Sequence, residues 1–110
     1  MSKLADKRCL PCSGGVPRLS AAEIATLAPQ VPEWEVVLGH HLRRVFTFPD
    51  FRSALAFTNR IGEVAEAEGH HPDLGLAWGR VEVQVYTHKA GGLTEADFIL
   101  AAKVDALWRA

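Results

Sequence analysis

The chain has 110 residues, the length of one ordinary folding unit, and a composition of 48% hydrophobic and 23% charged residues that suits a globular protein and argues against disorder. Its 12 basic and 13 acidic side chains leave a formal charge of -1, so no one-signed field exists to draw in nucleic acid or a membrane surface. No apolar run is long enough to cross a bilayer, and the charges of Met1 to Arg8 are not followed by the apolar stretch of a secretory signal, so the expected compartment is the cytoplasm.

Residues 1–19 are rich in turn formers and are expected to be a flexible lead-in to a single domain over residues 20–110. Cys9 and Cys12 fall in this lead-in. No second cysteine pair or nearby histidine completes a zinc site, and Ser13-Gly14-Gly15-Val16-Pro17 follows where a redox pair needs a helix, so two reduced thiols are expected. Ser20 with Glu23 three residues on has the spacing of a capping box. It opens a helix striped by Ile24, Leu27 and Ala28 and ended by Pro29 and Pro32.

Trp34 to Leu38 reads as a short strand, Gly39-His40 as a turn, and His41 to Phe48 as the return strand. That strand sets Leu42, Arg44, Phe46 and Phe48 on one face and Arg43, Val45 and Thr47 on the other. Asp50 is placed to cap a helix over residues 51–68, with Phe51, Ala54, Leu55, Thr58, Ile61, Ala65 and Glu68 recurring at helical steps and Gly69 as its stop. After His70-His71-Pro72, the residues Leu74, Leu76 and Trp78 alternate along a third strand. Gly79-Arg80 makes a turn. In the fourth strand Val81, Val83, Val85 and Thr87 face one way, and Glu82, Gln84, Tyr86 and His88 the other. Thr94 caps a last helix carrying Phe98, Ala101, Val104, Asp105 and Trp108 on one side.

The order α-β-β-α-β-β-α predicts an α+β fold, a four-stranded antiparallel sheet with helices packed on one face. The other face is left for a ligand or a partner subunit.

Of the five histidines, His40 and His41 read as solvated residues of a hairpin turn. His70, His71 and His88 stand at element ends, where imidazoles that titrate near neutrality serve acid–base chemistry. The proline after His-His stiffens the chain there. Glu66, one helical turn before His70, is placed to orient or charge it. Adjacent histidines on an extended chain point apart, so His70 and His71 do not readily ligate one ion, and no metal is expected. General acid–base work on a neutral ligand needs only positioned imidazoles, a carboxylate and a flat apolar wall, for which Trp34, Trp78 and Tyr86 are candidates. Asp97, three residues after Thr94, also suits a capping interaction.

A carboxylate at Glu66, then three residues, His70-His71-Pro72, five residues, Trp78, nine residues, His88, eight residues and Asp97 together resemble the signature of the pterin-4a-carbinolamine dehydratases. Trp34 and the segment Phe46-Thr47-Phe48-Pro49-Asp50-Phe51, with Ala54 and Phe57, extend the resemblance over residues 20–108. Gly69 and Leu74 depart from it, standing where some members have a carboxylate and an aromatic.

The resemblance implies a sheet with helices on one face, homodimers or homotetramers, and loss of water from a 4a-hydroxytetrahydropterin to give the quinonoid dihydropterin. It also implies coupling to an aromatic amino-acid hydroxylase. By position His70, His71 and His88 become the catalytic imidazoles, His70 and His88 as the acid–base pair and His71 as a binder. Glu66, Trp34, Trp78, Thr87 and Asp97 become substrate-binding residues. No electron or group is carried, so no cofactor is expected. A second possibility on the same scaffold is a non-catalytic binding protein, a transcriptional coactivator or assembly factor.

Overall fold

Local signals start and stop most of the elements in the computed structural model, which describes residues 4–7 and 17–109. The Ser20 hydroxyl accepts from the Glu23 N–H at 3.2 Å while the Glu23 carboxylate accepts from the Ser20 N–H at 2.8 Å, and this capping box opens α1, Ala21–Leu27. Asp50 accepts from the Ser53 N–H at 2.7 Å and opens α2, Phe51–Glu68. Both carboxyls lie below their usual range, chiefly because these backbone N–H groups stabilise the ionised form.

The strands are β1 (Glu35–Val37), β2 (His41–Thr47), β3 (Asp73–Ala77) and β4 (Arg80–Val85), and α3 spans Glu95–Arg109. They form one antiparallel sheet of four strands in the order β1-β2-β4-β3. The predicted α+β architecture is the observed one.

The period-two pattern sorts the sheet faces as expected. Leu42, Phe46, Val81, Val83 and Val85 are buried beneath α2 and α3. Each such side chain contributes roughly 1.5–3 kcal/mol by leaving water. Arg44 shares this inner face. Its guanidinium donates to Asp105 of α3 at 2.6 Å and lies 4.4 Å from the centre of the Phe46 ring. The outer face carries Arg43, Glu82, Gln84 and Arg80. There Glu82 accepts from Arg43 at 2.9 Å and Gln84 at 2.8 Å, and its carboxyl is lowered first by the Arg43 hydrogen bond.

Three expectations shift. The buried stripe of α2 is Ala54, Phe57, Ile61 and Ala65, whereas Phe51 and Leu55 are exposed. The helix is rotated so that Phe57 meets Phe46 at 4.9 Å, Phe48 at 5.4 Å and Trp108 at 5.6 Å between ring centres. That cluster of large rings outweighs what Leu55 and Phe51 would bury. The described part of the lead-in, Leu4–Lys7, is docked on α3: Leu4 is buried, and the Lys103 ammonium donates to the Ala5 carbonyl at 2.7 Å. An apolar leucine finds a place beside a helix whose first two turns are buried nearly all round. Cys9 and Cys12 lie outside the described residues.

The third shift is the first hairpin turn, which falls one residue earlier than Gly39-His40. Leu38 and Gly39 both have positive φ, 54° and 64°, and the His40 N–H closes the turn on the Val37 carbonyl at 2.9 Å. Positive φ at both central residues gives the turn whose twist matches the strands. Leucine pays for it sterically, and its side chain, 94% exposed, gains nothing in return. Replacing Leu38 by Asn, which tolerates this conformation, is therefore expected to stabilise the protein by about 1 kcal/mol. Denaturant unfolding checks this, and a raised midpoint at unchanged slope is the expected result.

Candidate active site

Gly69 creates the site's first corner. With φ 66° it ends α2 in the left-handed conformation. Its N–H bonds the Glu66 carbonyl at 3.3 Å, and the His70 N–H bonds the Ala65 carbonyl at 3.2 Å. This pairing is the Schellman ending, which suits glycine. It reverses the chain so that His70 turns inward, where it is 7% exposed, while His71 remains outside.

The second corner is the loop after β4. Thr87 pairs with Gly92 across it, and the Gly91 N–H bonds the Thr87 carbonyl at 3.0 Å, holding His88–Ala90 in a single 3₁₀ turn. The two corners face each other across a cleft of about 500 Å³. It is lined by Gly69, His70, His71, Pro72, Asp73, Thr87, His88 and Lys89. His70, His71 and His88 thus share one cleft.

Asp97 lies behind His70 and is completely buried. Its Oδ1 is 2.6 Å from His70 Nε2. Its Oδ2 accepts from the Thr87 hydroxyl at 2.9 Å and from the Thr94 N–H at 2.8 Å. An ionised carboxylate only accepts, so His70 Nε2 carries a proton and donates it. Because the Thr87 hydroxyl is committed to Asp97, the Thr94 hydroxyl, 2.9 Å away, donates to Thr87. In the neutral imidazole this bond selects the tautomer with its hydrogen on Nε2 and leaves Nδ1 as the nitrogen not engaged by Asp97. Asp97 also performs the capping role its spacing suggested, since Thr94 directly precedes α3.

Glu66 is placed differently from expectation. It bonds His71 Nε2, not His70, and both side chains are exposed. The inward turn of His70 at Gly69 leaves His71 as the imidazole within reach of the last turn of α2.

Neither tryptophan comes to the cleft. Trp34 is 5% exposed on the inner face, where its Nε1 donates to Asp105 at 2.8 Å and its ring meets Phe46 edge-on. Trp78 is 69% exposed in the turn after β3. Asp73, at the cleft, is five residues away along the strand, about 17 Å at the usual rise. Thr87 lines the cleft, and Asp97, fully buried, is connected to it through its bonds to His70 and Thr87.

Sequence reasoning missed Asp73 and Lys89 in the cleft wall. It also took His40 and His41 for solvated turn residues. Both are half-buried, with their Nδ1 atoms 3.1 Å apart, and the His40 ring packs 4.5 Å from that of Tyr86. The cause is the β2–β4 register, which sets Leu42 opposite Val85 and so brings the start of β2 beside Tyr86. Among the described residues, no three His, Cys, Asp or Glu side chains converge as a metal site would require. No described helix is long and apolar enough to cross a membrane.

Comparison with known proteins agrees with this fold. The profile of the family described as pterin 4 alpha carbinolamine dehydratase matches residues 17–107. A Rubrobacter xylanophilus protein named "Putative pterin-4-alpha-carbinolamine dehydratase" is 60% identical over 107 residues, covering 97% of this chain and 100% of its own. A crystal structure from Brucella melitensis, described as a transcriptional coactivator/pterin dehydratase, superposes with a TM-score of 0.76 at 34% identity, over 82% of this chain and 97% of that one. A pterin dehydratase-like RuBisCO assembly factor of the alpha-carboxysome shares the fold, with a TM-score of 0.56 at 24% identity over 67% of this chain and 84% of its own. With the profile spanning most of its length, the chain belongs to the pterin-4a-carbinolamine dehydratase family.

Proposed function

We propose that the cleft removes water from a 4a-hydroxytetrahydropterin, giving the quinonoid dihydropterin, by histidine acid–base chemistry. The observation that carries this reading is the meeting of three imidazoles in one cleft, one of them held in a single tautomer by a buried carboxylate. The carbon–oxygen bond at C4a breaks as an acid delivers a proton to the departing hydroxyl, and a base takes the proton from a ring nitrogen as the new double bond forms. His70, working through Nδ1, and His88 make the acid–base pair. His71, tied to Glu66 at the exposed rim, binds and orients the pterin. Lys89 and Asp73 add polar groups to the cleft wall. In this reading the protein works in the cytoplasm, beside an aromatic amino-acid hydroxylase whose spent pterin it returns to use.

The deciding experiment adds purified protein to a hydroxylase reaction and follows decay of the 4a-carbinolamine by absorbance, with spontaneous dehydration subtracted. Faster decay is expected. A protein serving only as a coactivator or assembly factor would leave decay at background.

In the same assay His70→Ala and His88→Ala are expected to lower kcat by about 10²- to 10⁴-fold with little change in KM, the range for lost acid–base groups. His71→Ala should mainly raise KM. Loss of turnover in His71→Ala at unchanged KM would exchange the assigned roles. Activity should survive exhaustive chelation, and its loss with recovery on added zinc would overturn the acid–base reading.

We also propose that the chain self-associates, because among the described residues the outer edges of β1 and β3 have no strand partner and Phe51, Leu55 and Trp78 are exposed. At least a dimer is expected in sedimentation at micromolar concentration, and a monomer there would refute it.

A further inference from the structure

Each imidazole of the cleft has a different holder. His70 is fixed by Asp97 and His71 by Glu66. His88 is exposed and, among the described residues, neither of its ring nitrogens has a hydrogen-bond partner. Left so, its ring would turn freely about its side-chain bonds, which suits a group that must meet one atom of a substrate poorly. One contact opposes this. The His88 ring lies on that of Tyr86, with centres 4.1 Å apart and planes inclined by 35°. Tyr86 is itself held, because the His40 ring packs 4.5 Å from it and His40 in turn bonds His41.

We propose that Tyr86 is the positioning residue of His88, setting its imidazole toward the cleft by ring stacking, with the turn between β1 and β2 as the outer support through His40. The inference rests on the dehydratase reading for its rate consequences, but the stacking is a property of the protein alone.

The mechanism needs the ring of Tyr86 and not its hydroxyl. Tyr86 is half-buried on the outer face of the sheet, away from the core, so its replacement should leave the fold intact. A stacked ring pair restricts its partner by an amount worth about 3- to 10-fold in population. Because His88 acts in the transition state, that factor should fall on kcat and spare KM.

The test combines NMR of the histidine rings with the dehydration assay, in wild type, Tyr86→Phe and Tyr86→Leu, with Tyr86→Gln as a further ring-less variant. The His88 ring protons should be shifted upfield by the neighbouring ring in wild type and Tyr86→Phe, and should return to ordinary positions in Tyr86→Leu and Tyr86→Gln. The ring-less variants should lose about 3- to 10-fold in kcat at unchanged KM, and Tyr86→Phe should keep wild-type turnover. Unshifted His88 resonances in wild type would overturn the proposal. So would wild-type kcat in Tyr86→Leu, or a Tyr86→Phe as impaired as Tyr86→Leu. A wild-type protein that stacks but does not accelerate dehydration would sink the dehydratase reading, and the positioning role with it. An active wild type with an indifferent Tyr86→Leu would sink the positioning role alone.

Discussion

The structure turns on the burial of one carboxylate. Asp97 has no exposure to solvent, and a charge in that position costs several kcal/mol unless donors replace the lost water. Three donors do so, and each comes from a different piece of chain. His70 follows α2, Thr87 follows β4, and the Thr94 N–H precedes α3. Satisfying one buried charge therefore pins together the three segments that frame the cleft. The negative charge also sits in the first turn of α3, where the helix dipole favours it. Removing the carboxylate would leave a buried imidazole, a hydroxyl and an amide without their acceptor at once.

From that constraint follows a gradation among the histidines. His70 is buried, hydrogen-bonded and single in tautomer. His71 stands at the rim with a carboxylate partner more exposed than itself, where solvent screening leaves an ion pair worth little for stability. His88 is open to solvent and held by a ring. The proposed dehydration, which would bind a flat bicyclic molecule and move protons on it, would gain from such a division. The buried group is fixed by Asp97, and the exposed groups lie at the open side of the cleft.

A second buried carboxylate does comparable work under the sheet. Asp105 accepts from Trp34 and from Arg44 with the same oxygen. It allows an arginine on the inner face and draws Trp34 into the core, away from any ligand. The tryptophan that the resemblance suggested as a wall for the pterin is therefore part of the packing that ties β1 and β2 to α3. The outer sheet face, charged at Arg43 and Glu82 and aromatic at Tyr86 and His40, stays uncovered by the described helices.

Local signals in the chain specify the elements and the faces of the strands, though not the buried stripe of α2, which takes Phe57 in place of Phe51 and Leu55. Period-two alternation in residues 41–47 and 80–85, the capping spacing at Ser20 and Glu23, and Gly69 at the end of α2 are local signals, set by bond geometry and by groups a few residues apart. They were enough for the four strands, the three helices and the layer arrangement. The parity that puts Tyr86 and His88 on one face was legible too, although its use was not. Which carboxylate pairs with which histidine is set by packing between distant segments. His70 and Asp97 are 27 residues apart, and no periodicity links them. Their meeting depends on how α2 and α3 cross the sheet and on the left-handed turn at Gly69. Packing likewise decided that Trp34 goes inside, that Trp78 lies at the far end of its strand, and that His40 reaches Tyr86. These depend on β2 lying beside β4 in one register, and strand neighbourhood is a non-local choice made by the packing of the whole core.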